Sequence, residues 1–133
     1  MIIDWPASFD AYLDRLDSDA ARGDAVAKLT RQILAAQLQE LQELDSEPVE
    51  EDAVLKRVRQ SRRYQVWRVA HPFHPLVAVR LIAWFPPERP ESVVVALFAG
   101  DKKVIGDVWY DSVGARADAA IGQWKFQTQE EQR

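Results

Sequence analysis

The sequence predicts an α+β fold in which an N-terminal αα-hairpin packs on a small antiparallel β-sheet meander closed by a C-terminal helix. Two observations carry that expectation. Apolar residues recur at helical spacing in the first third of the chain and again near its end, and three short segments between them are rich in branched and aromatic residues. Proline clusters separate the three, as turns that stop a sheet ladder do.

The elements follow in order. Phe9, Tyr12, Leu13 and Leu16 fall at i, i+3, i+4 and i+7, the spacing of one buried face, so residues 8–18 are expected to be helical with Ser8 as the cap. After Arg22-Gly23-Asp24 a longer helix runs to about Leu44, with Val26, Leu29, Ile33 and Ala36 on one stripe and Leu34, Leu38 and Leu41 on the next. Residues 45–52 are acidic, contain Pro48 and read as a connector. Strands are expected over 64–69, 77–85 and 92–99; the third is almost wholly apolar and belongs in the centre of the sheet. The breaks are His71-Pro72-Phe73-His74-Pro75 and Pro86-Pro87-Glu88-Arg89-Pro90. In the final helix, 115–126, Ala117, Ala120, Ile121 and Trp124 share a stripe.

At 133 residues, 47% hydrophobic and with five Trp and five Phe, the chain suits one domain. Within 1–133 we expect an acidic helical hairpin and connector (1–52), a basic sheet with the C-terminal helix (53–126) and a frayed polar tail (127–133). Cysteine is absent, which excludes a disulfide framework, a thiolate metal site and a Cys nucleophile, and fits a cytoplasmic setting. No apolar stretch approaches the roughly 18 residues of a membrane span, and the N-terminus lacks a secretory pattern, so no membrane association is expected. No Gly-rich phosphate loop, no metal-ligand spacing and no Ser-His-Asp order is present, so neither cofactor nor metal is expected.

Charge is segregated along the chain. Residues 1–52 carry 13 acidic groups against 4 basic ones, whereas 56–103 carries 10 basic against 3 acidic. A basic block of this kind suits a nucleic acid or an acidic protein, although a solvated sheet face gives the same pattern. Within it Arg57, Arg59, Arg62 and Arg63, with Lys103 further on, are candidate RNA-binding residues able to track a phosphate backbone. Docking of an acidic segment on the same run is the alternative.

Three stretches sharpen the reading. Gln65-Val66-Trp67-Arg68-Val69 places an Arg in one strand, and Val79-Arg80-Leu81-Ile82-Ala83-Trp84-Phe85 places another in the next. Val94-Val95-Ala96-Leu97-Phe98-Ala99-Gly100-Asp101-Lys102-Lys103 ends the third in a Lys-bearing turn, followed by Val108-Trp109-Tyr110-Asp111 and an Ala-rich helix. Over roughly residues 60–125 this resembles the RelE/HigB/ParE superfamily of type II toxin–antitoxin toxins, in particular a HigB-like actinobacterial branch. The chain departs from that pattern in having at most Met1–Trp5 for the N-terminal strand, and in a longer region from Gly23 to Asp52.

The resemblance implies a RelE/ParE-like fold and the toxin component of such a system, a ribosome-associated mRNA endoribonuclease that inhibits translation. It further implies a helix-turn-helix antitoxin and ribosome-bound mRNA as partners. Arg68, Arg80 and Lys102 would clamp a phosphate, and Tyr110 would stack on a base or assist proton transfer, completing the catalytic set. A ParE-like gyrase inhibitor, or an inactive partner-binding module of the same fold, is the alternative. His71 and His74 titrate in a useful range but sit in a turn, and Asp101 is better placed to cap a backbone group than to act as a base. The competing role for Arg68 and Arg80 is ion pairing with the acidic hairpin.

Overall fold

The computed structural model describes residues 1–89 and 91–131; Pro90 and the tail residues Gln132 and Arg133 lie outside the described residues. Strand β1 (Ile2–Asp4) leads into helices α1 (Ala7–Ala21) and α2 (Ala25–Gln42). Strands β2 (Leu55–Arg57), β3 (Val66–Val69), β4 (Val79–Trp84) and β5 (Val93–Asp101) follow. A short helical turn α3 (Lys102–Ile105), a 3-10 turn (Asp107–Ser112) and helix α4 (Val113–Glu131) complete the chain.

The five strands form one sheet in the order β1-β5-β4-β3-β2. From β3 to β5 it is the expected antiparallel meander, which β2 extends antiparallel at one edge, while β1 adds parallel to β5, pairing Ile2–Asp4 with Val93–Val95, so the sheet is mixed. β1 and β2 each have three residues, too few for alternation to register in the sequence.

Alternation on the strands gives the sheet two apolar faces. Trp67, Val69, Val79, Leu81, Ala83, Val94 and Ala96 pack under α1 and α2 with Phe9, Leu13, Ile33, Leu34 and Leu41. Val66, Ile82, Trp84, Val95 and Leu97 pack under α4 with Ala117, Ile121 and Trp124. Both faces of β5 are therefore covered, which accounts for its unbroken apolar run. Gln37, fully buried, donates from Nε2 to the carbonyls of Val69 (3.2 Å) and Val79 (3.1 Å), tying α2 to the ends of β3 and β4.

The helix ends differ from expectation in two places. Gly23 takes the left-handed φ of +98° that breaks the hairpin, and Asp24 caps α2 by accepting from the Val26 and Ala27 amides. α1, however, starts before Ser8, at Ala7, behind Pro6. Its first two amides are taken by side chains of α4: Ala7 N–H donates to Gln127 Oε1 (3.0 Å) and Ser8 N–H to Gln123 Oε1 (3.1 Å). The second difference follows: α4 does not fray at 127 but stays helical to Glu131, because its polar end has this capping role.

Candidate functional site

Arg68 lies between Trp67 and Val69, and Arg80 between Val79 and Leu81, residues that all face the helical hairpin. Both arginines consequently emerge on the opposite face, the one α4 covers. The register sets Lys56 of β2 directly across from Arg68, and Arg80 one diagonal step away. α4 meets only the rim of this end of the sheet, where Gly114 packs against the Gln60 carbonyl. The rest of that end is covered by Trp109 and Tyr110 of the 3-10 turn.

That turn is held in place by the end of β5. Asp101 Oδ1 accepts from Ala78 N–H (2.8 Å) and Lys103 N–H (3.0 Å), and Lys102 N–H donates to Ala78 O (2.9 Å). Asp101 is thus a cap and a clasp, as expected. Gly106, at φ +79°, turns the chain back. Trp109 then seats its indole over Gly100, where a Cβ would lie 2.6 Å from Nε1; no other residue leaves that space. The pair Trp109-Tyr110 divides its roles. Trp109 is buried against Phe98, while the half-buried Tyr110 ring has Arg68 Cζ at 5.8 Å and Lys102 Nζ at 5.4 Å from its centroid.

Around Tyr110 an open concavity of about 340 Å³ is lined by the stretch from Lys56 to Gln60 that continues β2, by Arg68 and Lys102, and by Glu51. Arg80 stands beside it rather than in it. Its Nη1 donates to Val79 O (3.3 Å), whereas its Nε, like Trp109 Nε1 and the Tyr110 hydroxyl, is buried without a hydrogen-bond partner among the described residues. Such donors are expensive to bury unless an acceptor comes to them.

The basic run separates by alternation. Lys56 faces the concavity, but Arg57 shares the parity of buried Leu55, and its guanidinium lies over the Trp67 ring at 5.0 Å and donates to Val49 O (2.8 Å) on the hairpin side. Arg59 and Arg62 line a second, shallower depression with Gln60 and Asp111. Arg63 lies over the Tyr64 ring at 5.3 Å, and Lys103 is exposed beyond the Asp101 cap. Of the residues expected to bind or act, Arg57, Arg59, Arg68, Lys102 and Tyr110 line one concavity, Arg80 adjoins them, Arg62 lines the second depression, and Arg63 and Lys103 are placed elsewhere.

The acidic half does not neutralise this face. Among the described residues Arg31 pairs with Asp17, and neither Arg68 nor Arg80 has a carboxylate partner. Glu51 alone lines the concavity, with Oε1 accepting from Arg57 N–H (2.9 Å). His71 Nδ1 lies 2.6 Å from Glu40 Oε1, and His74 Nδ1 accepts from Leu76 N–H; neither lines the concavity. Glu51 was not anticipated from sequence, and Lys56 and Gln60 were legible there only as parts of the basic run. Lys56 needed the β2–β3 register, and Glu51 sits in a connector with no periodicity to aim it.

Among the described residues no group of three or more His, Asp or Glu is arranged to hold a metal, and no helix is long and apolar enough to cross a membrane. No family model matches the chain, and no curated protein or solved structure matches it either. What the fold and the site define together is an α+β domain with a cationic, tyrosine-centred concavity at one end of a mixed five-stranded sheet.

Proposed function

We propose that this chain is a toxin-like, ribosome-directed endoribonuclease of the RelE/HigB/ParE kind that works in the cytoplasm. The observation that carries the reading is the concavity in which Arg68 and Lys102 flank Tyr110, with Lys56 and Arg59 beside them and no carboxylate paired with Arg68. Several cations around an open hollow match the phosphates of a single RNA strand, with Arg binding bidentately and Lys as a point charge.

The chemistry needs little beyond positioning and charge. The ribose 2′-oxygen attacks the adjacent phosphorus, the bond from phosphorus to the 5′-oxygen breaks, and the products are a 2′,3′-cyclic phosphate and a 5′-hydroxyl. Arg68 and Lys102 stabilise the charge that gathers on the non-bridging oxygens. Arg80, beneath them, adds to the field. Glu51 is the carboxylate within the concavity and takes the 2′-hydroxyl proton, while the departing 5′-oxygen takes a proton from water. An antitoxin would silence the enzyme by bringing carboxylates to the same cations.

Induced expression in a bacterial host, with pulse-labelling of protein and DNA synthesis, tests this. Growth arrest with early loss of translation, relieved in a folded Arg68→Ala, Arg80→Ala, Lys102→Ala variant, is expected. In a translation extract the cleaved message should end in cyclic phosphate, and Glu51→Gln should lose cleavage while keeping RNA affinity. Early loss of DNA synthesis would replace this reading with gyrase inhibition, and no effect on either would leave a partner-binding module.

A further inference from the structure

Another concavity, about 510 Å³, is larger than the cationic one. It lies along β5 where β1 stops, between α1 and α4. β1 pairs with β5 only through Val95. Immediately beyond, the register against β4 shifts at Ile82/Ala83, leaving Leu97 as the extra residue of a bulge that turns the strand and ends the β1 ladder. From Phe98 to Asp101 regular pairing with β4 resumes, while the other edge of these residues has no strand neighbour among the described residues.

This edge is not blunted by proline, and Leu97, Phe98 and Ala99 form the floor of the groove between the two helices. α1 and α4 meet at one end, where Gln123 caps Ser8, and small residues, Ala119 and Ala120, keep the wall of the groove low. Two cations flank it. Arg116 Cζ lies 4.1 Å from the Phe98 ring centroid and Arg15 Cζ lies 5.9 Å from that of Tyr12; neither has a carboxylate partner among the described residues. Asp101, close enough to act on Tyr12, has its Oδ1 occupied by two backbone amides.

We propose that this groove receives an extended acidic peptide segment of a partner protein, which adds as a strand beside residues 98–101 and sets its carboxylates against Arg15 and Arg116. Main-chain pairing supplies the affinity, and the two arginines select the charge. The same arginines repel a basic strand, which protects the edge from indiscriminate pairing. Partial burial lowers the pKa of Arg116, a cost that an incoming carboxylate offsets. The proposal stands apart from the nuclease reading, since the groove borders β5 and the cationic concavity borders β2 and β3.

The test titrates isotope-labelled protein carrying Arg68→Ala and Lys102→Ala, which removes the competing anion site, with acetyl-Asp-Val-Asp-Val-Asp-amide, and follows backbone amide resonances. We expect saturable shifts concentrated at 98–101, no binding of the Lys-Val-Lys-Val-Lys counterpart, and roughly tenfold weaker binding of acetyl-Asp-Val-Pro-Val-Asp-amide, which lacks a central donor. Arg15→Glu with Arg116→Glu, checked for an otherwise unchanged spectrum, should exchange the preference to the lysine peptide. Shifts elsewhere than the groove, equal binding of the proline peptide, or an unaltered preference after charge reversal would overturn the proposal.

Discussion

The two faces of the sheet are built from the same five strands and finished differently. Under α1 and α2 the face is closed: Trp67 is fully buried, stands edge-on to Phe85, and donates from Nε1 to Glu47 Oε2 at 3.2 Å. Under α4 coverage stops short, and the uncovered end holds Arg68, Lys56 and Lys102 with three unpartnered buried donors next to them. A polar face left incomplete in an otherwise packed domain marks where another molecule supplies the missing acceptors. The hairpin side also buries unpartnered acceptors, Gln37 Oε1 and Glu40 Oε2, so what sets the α4 side apart is unpartnered donors beside a cluster of cations.

Neighbouring residues should report that difference most directly. Trp67→Ala opens a large cavity and should cost about 3–5 kcal/mol in urea unfolding, without altering cleavage chemistry in the fraction that remains folded. Arg68→Ala, one residue along and facing the other way, should change stability by less than about 1 kcal/mol, because it forfeits one partly exposed cation–π contact, yet abolish RNA binding. Similar stability losses for the two would mean that the faces are not distinct in the way described.

Gly100→Val tests the seam between face and turn. The added Cβ meets Trp109 Nε1 at 2.6 Å, so the turn bearing Tyr110 must shift; a loss of about 1–3 kcal/mol is expected, with changed tryptophan fluorescence and weakened RNA binding. Gly122→Ala is its counterpart. A Cβ there meets nothing within 4 Å in the middle of α4, so the substitution should raise stability by about 0.5–1 kcal/mol and leave binding untouched.

The smallest effect is electrostatic. Burial raises the Tyr12 hydroxyl pKa above 10.0, an effect partly countered by Arg15. The folded state thus holds this proton more tightly than the unfolded one, so Tyr12's contribution is fully present below pH 10 and fades as pH rises through the folded value. Tyr12→Phe should flatten that part of the stability profile measured from pH 9 to 12.

Which features the sequence could disclose follows from their periodicity. Phe9, Leu13, Leu34 and Leu41 announced their helices because a 3.6-residue repeat persists over several turns. The opposed orientation of Trp67 and Arg68 was equally readable from alternation. β1 and β2 were not, being three residues each, and the register that puts Lys56 across from Arg68 depends on pairing between segments far apart in the chain. Arg57 was grouped with its basic neighbours on composition. It does line the concavity with them, but its guanidinium turns to the Trp67 side, which the parity of Leu55 signals only once β2 is known to be a strand. The cap on α1 was out of reach altogether, since Gln127 lies 120 residues from the amide that it accepts.

That distant cap also bears on the order of assembly. The hairpin of α1 and α2 is local and can form as soon as it emerges during synthesis. Its first turn and the strand before it wait for Gln123, Gln127 and β5, all made in the last third of the chain. Closing loops of this length sets the pace of folding. The sheet edge and the cationic concavity, which needs the 3-10 turn after β5, therefore mature together, well after the helical hairpin has formed.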